Sequence, residues 1–330
     1  RHLIRRIEQL KPDVVHLHAL HGYYLNFPIL FRYLNRTKIP VVWTFHDCHA
    51  FTGNCGYFFE CGRWRTGCGS CPHIHSYPCS QFFDFSAWMW KKKREMSAGT
   101  DKRKQIIVTP SEWLKEQVRE SFLGECECVT IHNGIDTGKY FHMRNKAECR
   151  KKHGFTREEK LVLGVAVGYS DPRKGARYII EMARRLDGSA RIILIGWEEK
   201  NNAMLEGCRN IVTLPVMADK DEIAEYYSLA DVFVLPSIAE NYATTALEAM
   251  ACGTPVVGFD AGGTKEIIRD GRGITVQTGD SAAFTDGVKA LLEGKGNILS
   301  GKELSLKIAE ENSLQKMTEK YIEIYRKVMA

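Results

Sequence analysis

No apolar run in these 330 residues reaches the length of about 20 that a helix needs to cross a bilayer, which excludes a helical membrane span within them. Nucleic-acid-binding motifs are also missing, so the excess of 46 Lys and Arg over 40 Asp and Glu calls for another anionic partner. The positive excess is concentrated in residues 1–155, and the remainder carries net negative charge. A basic half of this kind suits an anionic lipid-linked ligand or an anionic membrane surface. At 44% hydrophobic content the chain is rich enough to bury two cores, and two domains are expected.

Residues 236–266, PSIAENYATTALEAMACGTPVVGFDAGGTKE, organise the rest. A strand over 232–235 enters a Pro-Ser turn, and a helix runs from about 241 to 251. A second buried strand over 255–259 then leads into the Gly262-Gly263 turn and another helix start. In a parallel sheet two such strand-to-helix turns lie side by side at the strands' carboxyl ends, where helix N-terminal amides favour an anion such as phosphate. Glu240 precedes the first helix and Glu248 lies two turns inside it. Both suit the donor hydroxyls of a sugar, although taken alone the pair reads more readily as ordinary helix charges, one capping and one solvated.

The N-terminal 47 residues alternate helix, strand (14–18), helix (25–35) and strand (41–45), which implies a parallel sheet. His16 and His18 lie on the first of these strands, His21-Gly22 in the turn after it, and His46-Asp47 at the end of the second. His18, His21, His46 and Asp47 therefore gather at one sheet edge. Next comes GNCGYFFECGRWRTGCGSCP, glycine-rich and too poor in apolar residues to fold unaided. Its Cys55, Cys61, Cys68 and Cys71 suit a tetrahedral structural zinc site with no position left for catalysis. Disulfides or an iron–sulfur cluster are the alternatives, and Cys48, His73, His75 and Cys79 are possible substitute ligands. Residues 82–104, FFDFSAWMWKKKREMSAGTDKRK, read either as a membrane-interfacial helix or as a connecting helix with buried aromatics and a solvated basic face.

Further on, Ser111 is placed to cap a helix over 112–121, a strand covers 129–132, and Asn133-Gly134 reads as a tight turn with a positive φ. The polar stretch 143–160 reads as an interdomain linker with a short helix, dividing the chain into residues 1–150 and 151–330. The second domain opens with a strand over 161–167. Arg173-Lys174-Gly175 then enters a helix over 176–186, offering a forked donor and a point charge to a diphosphate. Strands over 191–196, 211–214 and 231–235 and a helix over 221–229 continue the alternation, and 313–330 forms an amphipathic helix.

The run ADVFVLPS, Glu240-x7-Glu248, LEAMACGTPVV and GGTKEII, with VTPSEWLKEQV, IHNGID, Arg173-Lys174-Gly175, HLHALHGYYLN and TFHDCHAFTGNC, resembles glycosyltransferase family 4 over nearly the whole chain and in the right order. The resemblance implies the GT-B fold: two Rossmann-like parallel-sheet domains facing a cleft, with a strand and a glycine-rich loop expected before residue 1, so that the N-terminal domain is incomplete. It implies that the last helix crosses back onto the first domain, and that some relatives carry a similar cysteine-rich insertion over 48–79.

By that resemblance, Arg173 and Lys174 bind the donor's phosphates, Glu248 its ribose and Glu240 its sugar. Tyr242, Ala243, Thr244 and Gly263 line the phosphate turns, and Met217 marks where backbone groups hold the base. His46 and Asp47 position acceptor and sugar, with His18, His21 and Gly22 on the acceptor side. Two departures stand out: Gly168 occupies the place of an arginine six residues before the lysine, and Ala243 stands where glycine is common.

The implied reaction is retaining transfer from a UDP- or GDP-linked sugar to a lipid-linked or saccharide hydroxyl, in bacterial surface polysaccharide or lipid-linked oligosaccharide synthesis. No carboxylate is clearly placed as a nucleophile on the far face of the sugar; the resemblance implies front-face substitution, and a lysine, an arginine and helix amides to stabilise the leaving diphosphate make a catalytic divalent metal unnecessary. The setting expected is a reducing cytoplasm, with possible attachment to the inner face of the cell membrane. A nucleotide-sugar 2-epimerase of the same fold and a donor-binding module without turnover are the rivals.

Overall fold

The computed structural model describes residues 2–21, 24–76, 78–80 and 82–330, and the chain divides into two compact units, Arg1–His132 with Thr318–Ala330, and Asn133–Met317. In the first unit, β1 (Val15–Leu17), β2 (Val41–Thr44), β3 (Gln105–Thr109) and β4 (Glu127–Thr130) form a parallel sheet in that order. Every residue of β2 and β3 is buried, as expected of strands covered on both faces. Around them run α1 (His2–Leu10), α2 (Phe27–Thr37), α3 (Ser86–Ala98) and α4 (Glu112–Arg119). Asn26 caps α2 by accepting from the Ile29 amide, and Ser111 caps α4 by accepting from the Leu114 amide.

The cysteine-rich loop is not an appendage of this unit. Phe51 and Trp64 from the loop are fully buried in the core beside Phe45, and the Trp90 indole of α3 donates to the Trp64 carbonyl. The loop is thus anchored by two aromatic side chains, which its low apolar content conceals.

The second unit holds α5 (Lys146–Lys152), β5 (Leu161–Val165), α6 (Ala176–Leu186), β6 (Arg191–Ile195), β7 (Ile211–Leu214), α7 (Lys220–Leu229), β8 (Val232–Leu235), α8 (Thr244–Ala251), β9 (Val256–Phe259), α9 (Thr264–Ile267), β10 (Gly273–Val276), α10 (Ser281–Leu292) and α11 (Gly301–Asn312). Its six parallel strands lie in the order β10-β9-β8-β5-β6-β7. The chain builds outward from β5 in one direction, then returns to β8 and builds in the other. Between β5 and β8 lies a topological switch point, the place where such sheets bind ligands beyond their carboxyl ends.

Several expectations are corrected. The compact units divide at residues 132/133 rather than 150/151, because residues 143–160 are not a solvated linker. Arg150 of α5 is buried, with its guanidinium on Asp231 and on the carbonyls of Leu229, Arg157 and Glu159, and Cys149 joins the core. Neither Asn133 nor Gly134 has a positive φ. Glycine serves closeness there instead, since a Cβ on Gly134 would lie 2.7 Å from the Ser313 carbonyl oxygen. The helix expected from 241 starts at Thr244, and the one after Gly263 is a single turn. Finally α12 (Leu314–Met329) begins in the second unit, and from Thr318 onward it is part of the first.

Candidate functional site

At the switch point the turn after β5 is pressed against the turn after β8. Gly175, with φ +72°, makes this possible: a Cβ there would lie 2.0 Å from the Pro236 carbonyl oxygen, so only glycine fits. Asp171 accepts from the Arg173 amide, the Arg173 carbonyl accepts from the Ile238 amide (2.9 Å), and the Arg173 guanidinium donates to the Ala239 carbonyl (3.1 Å). Lys174 Nζ then donates to Glu240 Oε2 at 2.9 Å, with Arg173 Nη1 3.7 Å from the same oxygen. Glu240 is buried, and its other oxygen accepts from the Asn241 amide. The groups expected to serve phosphate and sugar separately are joined in one ionic cluster.

Beside this cluster begins α8. Ala243 is its N-cap and supplies no side-chain hydrogen bond, so no capping side chain at that position competes with an anion for the first-turn amides. Thr244 is exposed at that end. Glu248, farther along α8, accepts from Tyr227 Oη at 2.8 Å. Burial pushes its carboxyl pKa up, opposed by the Tyr227 bond and by Lys220.

Tyr242 directly precedes the N-cap of α8. Its side chain is packed in the core, Asn312 Nδ2 donates to its hydroxyl, and Asn133 donates to its carbonyl. Met217 is half-buried against the core after β7, next to exposed Val216. Gly263 caps the single-turn α9. At Gly168 a Cβ would lie 3.2 Å from Glu198 Oε2, and Glu198 also accepts from the Ser170 amide. That position therefore sits against a carboxylate.

In the first unit the histidines form a row. His16 Nε2 lies 2.8 Å from Thr44 Oγ1 and its Nδ1 2.7 Å from Tyr325 Oη, while Thr44 Oγ1 lies 3.0 Å from Tyr321 Oη. The rings of His16 and His18 are 4.1 Å apart, and His18 Nδ1 is 3.0 Å from His46 Nε2. Burial, with His18 and His46 adding repulsion, lowers His16 to about 4. His46 reaches solvent at its edge, yet the desolvation of its ring and the neighbouring His18 lower it too. At about 4, His16 is neutral near pH 7, and the His46 shift runs in the same direction. His21 Nε2 instead meets Asp47 Oδ2 at 2.7 Å, a bond that raises its pKa, and the His49 amide donates to Asp47 Oδ1. Gly22 lies outside the described residues.

Cys55, Cys61, Cys68 and Cys71 are all free thiols. Mutual repulsion with Cys61, Cys68 and Cys71 raises thiol pKa values within the loop, after burial as the main cause, and the Gly53 amide donates to Cys68 Sγ at 3.2 Å. The donor chemistry fits zinc. Among the described residues no three His, Cys, Asp or Glu side chains stand in metal-holding geometry.

Some participants escaped the sequence reading. Tyr227 lies on a helix that shows no motif, and Lys93 sits in a KKKR run that reads as solvated. Its ammonium is buried, donates to the carbonyls of His49 and Thr52, and is lowered to about 7 by that burial. Tyr321 and Tyr325 fall one helical turn apart on α12, a spacing that signals a shared face without naming its partner.

Residues 1–139 match the family model described as Glycosyltransferase Family 4, and residues 160–294 match the one described as Glycosyl transferases group 1. WcaC of Escherichia coli, a protein named for colanic acid biosynthesis, is 25% identical over 96% of this chain and 76% of its own length. A D-inositol 3-phosphate glycosyltransferase of Mycobacteroides abscessus is 30% identical over 59% of this chain, which spans about half of that protein (46%). Among solved structures, Anabaena HepE in complex with UDP aligns with 98% of this chain and 81% of its own at a TM-score of 0.72 and 14% identity, a likeness of fold. With the two models in chain order and two parallel-sheet units of the GT-B kind, the chain belongs to glycosyltransferase family 4.

Proposed function

We propose that this chain transfers a sugar from a nucleotide-diphosphate donor to a hydroxyl acceptor, with retention at the anomeric carbon, in the synthesis of a surface polysaccharide or lipid-linked oligosaccharide. The observation that carries this reading is the cluster of Lys174, Arg173 and Glu240 at the switch point, beside the side-chain-free N-terminus of α8. Departure of a nucleoside diphosphate builds negative charge there. A lysine, an arginine and helix amides stabilise that charge without a divalent metal. When the diphosphate enters, Lys174 and Arg173 turn to it, and Glu240 is released to a hydroxyl of the donor sugar.

Glu248 takes the ribose, and residues 215–217 meet the base through backbone groups. HepE, whose crystals contain UDP and UDP-glucose, supports a uridine or related donor. In the first unit, His46 with Asp47 and His21 orients the acceptor hydroxyl, and the leaving phosphate accepts its proton.

No helix among the described residues is long and apolar enough to cross a membrane. Exposed Phe82, Phe83, Phe85 and Trp88 next to the lysines of α3 support attachment to an anionic lipid surface at the cytoplasmic face. A structural zinc that draws the four cysteines into a closed cage rests on their spacing in the sequence.

Calorimetric titration with uridine, guanosine and adenosine diphosphates and their sugars tests the donor site. Selective binding that is lost in Glu248→Ala and Lys174→Ala is expected. Binding of none of them by the wild-type chain sinks the reading.

A further inference from the structure

Among the described residues, the hydroxyl that meets the Glu248 carboxylate belongs to Tyr227, and its setting is unusual for a tyrosine that merely fills space. Tyr227 is fully buried on α7, its ring edge-on to Phe141 and Phe233, and its own carbonyl is fixed by the Thr254 hydroxyl at 2.6 Å. Backbone and ring are therefore clamped on three sides, and the phenol oxygen has little freedom to follow a moving partner. That rigid hydroxyl donates to Oε2 of Glu248 at 2.8 Å.

A free glutamate on a helix samples several rotamers, and ordering it on a ligand costs entropy. Here one carboxylate oxygen is pinned before any ligand arrives. That bond restrains the side-chain torsions, and the role proposed below has the other oxygen accept from the ribose. A donor to the carboxylate also favours its charged form against burial, which keeps Glu248 an acceptor and suits it to a vicinal diol.

We propose that Tyr227 is a positioning residue that presents Glu248 to the ribose hydroxyls, and that it thereby sets the preference of the site for ribonucleotide over deoxyribonucleotide donors. The inference rests on the assignment of Glu248 to the ribose made above. Tyr227 touches no ligand itself. Its contribution is realised only through a ribose hydroxyl, a signature that a purely structural tyrosine lacks.

The test is a cycle between protein and ligand variants. Wild-type chain, Tyr227→Phe and Glu248→Ala are titrated with UDP and GDP and with their 2′,3′-dideoxy counterparts. Tyr227→Phe keeps the ring and its packing, and a thermal melt checks that the fold is retained. Loss of one hydrogen bond to a charged group is expected to weaken ribonucleotide binding by about tenfold, with dideoxynucleotide binding changed by less than about twofold. In turnover the donor KM rises and kcat is nearly constant.

Equal weakening of ribo- and dideoxynucleotide binding in Tyr227→Phe, or no weakening of either, overturns the role of Tyr227. The Glu248 assignment stands in that case if Glu248→Ala still abolishes the ribose preference. A ribose preference that survives Glu248→Ala, or no binding by either nucleotide, overturns the assignment itself and the inference with it.

Discussion

Lys174 Nζ and Glu240 Oε2 stand 2.9 Å apart, on turns that are separated by 66 residues in sequence and meet only because β5 and β8 are sheet neighbours. The pair has two uses for one contact: it neutralises a buried carboxylate and marks where a phosphate and a sugar would part them. Glu240→Gln keeps the shape and removes the charge. It is expected to leave donor affinity within a few-fold and to lower kcat by about a hundredfold. Lys174→Ala strands the carboxylate as well, so it should lose donor affinity and thermal stability together. Kinetics and melting curves on the two variants check this asymmetry.

Gly175→Ala tests how the two turns are brought together. The added methyl would lie 2.0 Å from the Pro236 carbonyl oxygen at a φ of +72°, so the turn must move. A cost of about 2 kcal/mol is expected, seen as a fall of roughly 4–8 °C in the melting temperature, with donor affinity reduced alongside it. An unchanged melting temperature would show that the turns tolerate separation.

Acid should destabilise the first unit. Burial lowers His16 to about 4 and lowers His18, His46 and His49 below their ordinary 6.5. The unfolded imidazoles therefore take protons first as pH falls. Their contribution to stability is complete above 6.5 and is lost as pH drops from 6.5 toward 4. His21 acts in the opposite sense, since the Asp47 bond raises it: its contribution is complete below the unfolded value and is lost as pH rises through the folded one. With four lowered groups against one raised, the melting temperature is expected to fall by several degrees between pH 7 and pH 5. His16→Gln should flatten that slope.

Zinc in the cysteine loop is checked by elemental analysis of the reduced, untagged protein. About one zinc per chain is expected, lost in a Cys68→Ser, Cys71→Ser variant. A chain without zinc would leave the loop held by packing and hydrogen bonds, with Phe51, Trp64 and Lys93 among the anchors.

The exposed Phe82, Phe83, Phe85 and Trp88 are expected to carry the protein up with anionic phosphatidylglycerol vesicles at low salt. Phe83→Ser with Phe85→Ser should reduce flotation at least about fivefold, and high salt should weaken it. No flotation of the wild-type chain at low salt removes the membrane reading.

Local pattern carried most of what was legible. The strands 161–165, 211–214 and 256–259, the helix 176–186 and the Ser111 cap announce themselves through apolar runs, 3.6-residue periodicity and a capping hydroxyl, all of which depend on near neighbours in the chain. The unit boundary was less legible because Arg150 looks like a linker charge until Asp231, 81 residues away, accepts from it.

The sequence by itself determined the alternation of strands and helices, the two-domain plan and the identity of the charged residues at the turns, because spacing and residue type suffice for these. Tertiary structure decided which of those residues meet. Strand order brought Lys174 to Glu240, packing of α7 on α8 brought Tyr227 to Glu248, and the return of α12 brought Tyr325 to His16. Each pairing depends on a crossover or a helix return, and a distance along the chain carries no information about such contacts.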